Sequence, residues 1–340
     1  MSTTKKQHFV WRKYLVPWTD NQQLENGKLY VFRKNPKGTQ EVIEFRELMK
    51  VGFEKFYYDI TGFSEADWTL FKQYITNFQK ASTVKFCIRD DLKNDINAQR
   101  DFLEKNVICI GEDIDNEFGF LEKIKNKDLS FYHDSIAQQS LFWLHHLLEA
   151  SQLGQDICVS DEEIANRITM FSEHCEDTDF KYKFNEFICY QFCRSPHIIQ
   201  SQISAFDQLK SRFPEIKACN SNFFGNMNAI FFAMNMAINL SQYSHSYIEL
   251  IENQTTISFI TGDCPVTNIA QDPHKSLEFY YPITPNIAIL IKTSNHFKDN
   301  DIQSVTDEDY INFLNRKIFT NSTNEVYSND MEILNKYASF

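Results

Sequence analysis

The chain has 340 residues and a formal net charge of −12; 42 % of its residues are hydrophobic, 15 % are aromatic, and Phe alone occurs 31 times. That much apolar surface can build a sizeable core, which excludes an intrinsically disordered chain, and no apolar run approaches the ~18 residues that a membrane span needs. The acid excess counts against a protein that grips long duplex nucleic acid through its phosphates, since the basic residues are dispersed apart from Lys5, Lys6, Arg12 and Lys13.

Met1 to Gln7 is polar and basic and lacks an apolar stretch, so no secretory signal is expected and the location expected is cytoplasmic. Lys28 to Arg33 and Glu41 to Phe45 are rich in β-formers and flank Asn35-Pro36-Lys37-Gly38, which predicts an N-terminal β-hairpin over 28–45. Residues 64–240 read as mostly helical. Ser64 and Asp67 form an N-terminal capping pattern ahead of Trp68, Leu70 and Phe71. Ile110, Ile114, Phe118, Leu121 and Ile124 recur at helical steps, and Phe142 to Leu148 and Phe187 to Phe192 give further apolar helices. Pro196 marks a helix boundary. Phe223 to Leu240 is nearly continuous in apolar residues and predicts a buried helix.

The last hundred residues turn to β. Tyr247 to Ile251, Thr256 to Ile260, Phe279 to Tyr281 and Ile287 to Ile291 are candidate strands, with Glu252-Asn253-Gln254 as a hairpin loop between the first two. Asp307 to Phe319 closes as a helix whose first-turn acids suit its dipole. The expected class is α+β: a predominantly helical middle, an N-terminal hairpin and a C-terminal antiparallel sheet, in a single domain spanning 1–340.

With nine glycines, neither a GxGxxG loop nor a Walker A loop occurs, and GxSxG, HExxH and EF-hand patterns are also absent. The eight cysteines, at 87, 109, 158, 175, 189, 193, 219 and 264, form no CxxC pair and no zinc-ligand spacing. Without a secretory signal they are expected to be reduced, buried thiols.

Six segments, in order, resemble the domain of unknown function 4238 family. They are Gln7-His8-Phe9-Val10 with Tyr14-Leu15, where Trp11 replaces the family's usual proline; Gly52 to Tyr58, ending in the family's FYY; and Phe187 to Pro196, which carries its Q-x-x-R-[TS]-P element as Gln191, Arg194, Ser195 and Pro196. The others are Phe259 to Val266, close to F-I-x-S-D-N-P-V; Tyr281-Pro282-Ile283-Thr284-Pro285, close to P-L-S-P; and Leu314-Asn315 with Val326-Tyr327-Ser328. Order and spacing agree from 7 to 328. The resemblance implies a shared architecture and carries no activity with it. Gly262 stands where the family commonly has serine, and Cys264 where it commonly has asparagine.

Four sets of residues are candidates for chemistry. Asp263 follows an apolar strand and precedes Cys264-Pro265, where Pro265 favours an extended Cys264. A carboxylate so held can serve as a base, orient a histidine or bind a metal; the plainer alternative is a turn aspartate bonding backbone. His8 can exchange protons near neutral pH. Gln191 and Arg194 share a helix face, and the guanidinium fork suits phosphate or carboxylate; the alternative is an arginine paired with Glu112 or Glu117 to brace helices. Glu112, Asp113, Glu117 and Glu122 are either a solvated helix face or, with Asp263, ligands for a divalent metal ion, the candidate cofactor.

Three functions follow from these residues. The first is an enzyme acting on a phosphodiester or nucleotide, of the hydrolase or nuclease kind that arms defence and toxin systems, with His8 and Asp263 catalytic and Gln191 and Arg194 binding substrate. The second is a module that binds a small-molecule or nucleotide ligand without chemistry. The third is a structural role, in which His8 and Asp263 tie the N-terminal segment to the C-terminal sheet.

Overall fold

The structure is a computed structural model and describes residues 6–8, 10–24, 26–34, 42–55, 64, 66–67, 69–70, 73, 179–243, 246–271, 276–293 and 301–339. The helices expected over 110–124 and 142–148 and the turn at 35–38 lie outside the described residues.

The chain opens with β1 (Lys6–His8) and a single helical turn, α1 (Arg12–Leu15), followed by β2 (Lys28–Arg33), β3 (Val42–Glu47) and β4 (Phe53–Lys55). Three helices come next, α2 (Asp179–Cys193), α3 (Pro196–Arg212) and α4 (Ser221–Ile238). The remainder runs β5 (Ser246–Asn253), β6 (Thr261–Gly262), β7 (Thr267–Asn268), β8 (Phe279–Pro282), β9 (Ile287–Thr293), β10 (Asp301–Val305), α5 (Glu308–Asn321), β11 (Glu325–Ser328) and α6 (Met331–Ala338). The class is α+β.

Side-chain caps set several helix starts. Asn220 accepts the N–H groups of Asn222 and Phe223 at 3.0 and 3.1 Å ahead of α4, and Asp307 accepts those of Asp309 and Tyr310 at 2.9 and 3.4 Å ahead of α5. Ser64 and Asp67 bond reciprocally, as their spacing predicts: the Ser64 N–H reaches Asp67 Oδ2 at 2.6 Å, and the Asp67 N–H reaches Ser64 Oγ at 3.3 Å. The break between α2 and α3 falls at Pro196, as expected.

β2 and β3 do form the antiparallel hairpin, but it is not a unit apart. β11 pairs antiparallel with β2 (Tyr327 opposite Val31), so the hairpin and the C-terminal chain share a four-stranded sheet of order β3-β2-β11-β6. A second sheet has the order β10-β5-β9-β8-β7 and is antiparallel except at its edge, where β10 runs parallel to β5. The strand expected over 256–260 does not form. Asn253 and Thr255 bend the chain instead: Asn253 Nδ2 donates to the Ile257 carbonyl at 2.7 Å, and Asn253 Oδ1 accepts the Thr255 N–H at 2.9 Å. These side chains take the place of a ladder, and β5 pairs with β9 and β10.

Both sheet faces are covered. Leu29, Val31, Ile248, Leu250, Tyr281, Ile289, Ile291 and Tyr327 join one core with α1, α2 and α4. Their neighbours Phe32, Ile251, Tyr280, Ala288, Leu290 and Val326 join another with α5 and α6. Alternation at period 2 explains the division. Burial on both sides explains why Ile287-Ala288-Ile289-Leu290-Ile291 reads as an unbroken apolar run.

Candidate functional site

Asp263 follows β6 directly and is fully buried. Its carboxylate faces the loop between α5 and β11. Oδ1 accepts the N–H of Thr323 at 2.7 Å, and Oδ2 accepts those of Asn324 at 2.6 Å and Glu325 at 3.2 Å. The Asp263 N–H returns a bond to the Glu325 carbonyl at 2.9 Å. Burial pushes the Asp263 pKa up to about 6; the three N–H donors pull it down without cancelling that effect, and the Glu325 charge adds to the rise. The preceding Gly262 lies close to the same loop, since a Cβ there would stand 2.0 Å from Ser322 Oγ. A serine at 262, the residue that the family resemblance implies there, would therefore require a different Ser322 position.

Gln191 and Arg194 lie at the end of α2, both about 2 % exposed. Arg194 Nη2 donates to Gln191 Oε1 at 2.7 Å, so the pair shares a face as its spacing predicts. The neighbour that the sequence did not bring into this group is Tyr281. Its ring stacks on Tyr14 at 4.9 Å and meets Phe187 edge-on at 6.2 Å. Its phenol oxygen is buried with no hydrogen-bond partner among the described residues. Burial raises the Tyr281 pKa well above the ordinary value, and the Arg194 charge partly opposes the rise. The residue lies in the Tyr281-Pro282-Ile283-Thr284-Pro285 segment that carries the family resemblance, which is the signal that could have found it.

The Arg194 and Asp263 segments meet at the start of α3. The Ser195 hydroxyl donates backwards to the Phe192 carbonyl at 2.7 Å and leaves α3 without a side-chain cap of its own. The Cys264 thiol lies beside that helix start, near Ser195 and His197, and is 4.0 Å from Thr323 Oγ1. Burial, helped by the Asp263 charge, pushes this thiol up to about 12, so it is inert at neutral pH. Sulfur is a weak acceptor. Cys264→Asn, the residue that the family resemblance implies there, should cap α3 through its amide oxygen and stabilise the protein by about 1 kcal/mol; urea unfolding of the two proteins side by side measures this.

The N-terminal segment reaches the same region. The backbone of His8 pairs with Phe53 between β1 and β4, while the His8 side chain lies outside the described part of the structure. Two residues on, the Val10 N–H donates to the Gly52 carbonyl at 3.2 Å. Gly52 has φ +63°, a backbone that other residues rarely adopt. Its N–H donates to Glu325 Oε2 at 3.1 Å, and the same oxygen accepts the Tyr327 hydroxyl at 2.8 Å. The other Glu325 oxygen takes Arg33 Nη2 at 3.0 Å. Glu325 thus joins β2, the Gly52 turn, β11 and the Asp263 loop.

Glu112, Asp113, Glu117 and Glu122 lie outside the described residues. Among the described residues no group of three or more His, Cys, Asp or Glu side chains could hold a metal ion, and no helix is long and apolar enough to cross a membrane. Residues 162–332 match the family described as "Protein of unknown function (DUF4238)". The chain belongs to this family. No curated protein and no solved structure matches it. Within the DUF4238 match fall the Gln191–Arg194 pair, the Asp263 clasp and Tyr281 alike.

Proposed function

We propose that this protein recognises a small phosphate-bearing ligand, a nucleotide or phosphodiester, through Arg194, with Gln191 aligning the guanidinium and the Tyr281 phenol supplying a further hydrogen bond. One observation carries this: a buried guanidinium stands close to a buried phenol whose oxygen is unpartnered among the described residues. Burying such groups costs free energy unless a partner satisfies them. A phosphate offers the acceptor that the phenol lacks and the paired, charged oxygens that suit a guanidinium fork.

Recognition without turnover is favoured over hydrolysis by the state of Asp263. Both of its oxygens already accept backbone N–H groups, and a general base needs a lone pair directed at the proton it removes.

Melting the protein with adenosine triphosphate, cyclic adenosine monophosphate and bis(nitrophenyl) phosphate tests the proposal. One or more of these should raise Tm, with a stabilisation of about 3 kcal/mol at a hundredfold excess over Kd. Arg194→Lys, which keeps the charge and loses the fork, should weaken that ligand roughly tenfold or more. No shift with any of the three, or an equal shift in the variant, sinks the proposal. Release of nitrophenol or of nucleotide products by the unmodified protein would overturn the claim that there is no turnover.

A further inference from the structure

Beside the turn that carries Gln191 and Arg194, two sulfur atoms meet between α2 and α4 and a third stands one helical turn away. Cys189 and Cys193 stand four residues apart on α2 and so share a face. Both are buried free thiols. From α4, Met236 brings its sulfur to 3.8 Å from Cys193 Sγ. The helices pack closely here, and α4 contributes the buried alanines 229, 233 and 237 at four-residue steps. Small side chains let two helix backbones approach and place longer side chains from both at the contact.

We propose that Cys189, Cys193 and Met236 form a three-sulfur site for a soft monovalent cation, copper(I). Two thiolates and a thioether are the donors that select copper(I) over harder ions. Three ligands at about 2.3 Å around one centre stand roughly 4 Å from each other, the spacing that Cys193 and Met236 already have. Met236 is half-buried, whereas both cysteines are enclosed, so the thioether gives the ion its way in.

Binding breaks two S–H bonds and forms two Cu–S bonds, with the thioether as third ligand. Both protons pass to solvent, and copper stays in the +1 state throughout. Thiols bind a metal only as thiolates, so both protons must leave. Affinity should therefore fall by up to roughly a hundredfold per pH unit on acidification, as release of two protons requires.

The test is anaerobic titration of the full chain with copper(I) against a chromophoric chelator. The expected result is one tightly held equivalent with a sulfur-only shell in its X-ray absorption. Met236→Leu keeps the apolar volume and leaves all 8 cysteines in place, so a tenfold or greater loss in that variant cannot come from another thiol. The paired change Cys189→Ala, Cys193→Ala should abolish the equivalent, with circular dichroism confirming that the helices persist. Unchanged stoichiometry and affinity in Met236→Leu, or binding that does not vary with pH, overturns the proposal.

Discussion

Asp263→Ala is expected to destabilise the protein by on the order of 4 kcal/mol, because the change strands three backbone donors at once. The N–H groups of Thr323, Asn324 and Glu325 have the Asp263 carboxylate as their acceptor, and each buried orphan costs about 1–3 kcal/mol. Part of the loss is offset. The folded carboxyl has a pKa of about 6 against an ordinary 3.8, so holding it ionised at neutral pH costs about 3 kcal/mol, and alanine removes that cost. The orphaned donors outweigh the relief.

Asp263→Asn separates the two effects. An amide has one acceptor oxygen, so in either orientation its NH2 group meets at least one of the three donors, at about 1–3 kcal/mol. The raised pKa means that the contribution of Asp263 is fullest below the unfolded value and is lost as pH rises through about 6. Unmodified protein should therefore exceed the Asn variant in stability at pH 5 and approach it at pH 7.5. Urea unfolding at the two pH values decides this; a difference that does not vary with pH would mean that the carboxyl is not raised.

The hairpin, α4, α5, β5, β8 and β9 were legible in the sequence because each declares itself within ten to twenty residues, through an apolar period, a cap or a turn. What escaped is non-local. Nothing near Glu325 announces that β11 will join β2, almost three hundred positions earlier, and the parallel edge β10 has no local signature. The loss of a strand at 256–260 follows from the side-chain bonds of Asn253 and Thr255, which propensity does not weigh. The candidate site divides the same way. Asp263, Gln191 and Arg194 stand out by residue type and motif, and the spacing of the last two gave their contact. The sixty residues between Asp263 and its three donors hid the use to which the carboxylate is put. Tyr281 gives no sign of a polar role because in a strand it reads as core.

Tyr14→Ala should cost on the order of 5 kcal/mol, and it tests how firmly the N-terminal segment is held to the late strands. Tyr14 is 1 % exposed, stacks on Tyr281 at 4.9 Å and meets Trp18 at 5.1 Å. Its hydroxyl donates to the Pro282 carbonyl at 2.6 Å and lies 2.6 Å from Thr261 Oγ1, whose proton it can accept. Truncating a buried aromatic leaves a cavity worth about 3–5 kcal/mol, and the two abandoned polar groups add to it. Tyr14→Phe keeps the rings and should cost only about 1–2 kcal/mol, so the two variants apportion the anchor between packing and hydrogen bonds. The anchor also bears on ligand recognition, because Tyr14 is the surface on which Tyr281 rests beside Arg194. If Tyr281 helps to hold phosphate, Tyr14→Phe should weaken the ligand less than Tyr14→Ala, even where both variants remain folded. A Tyr14→Ala protein within 1 kcal/mol of the parent in guanidinium unfolding would show that this segment is not held to the sheet as described.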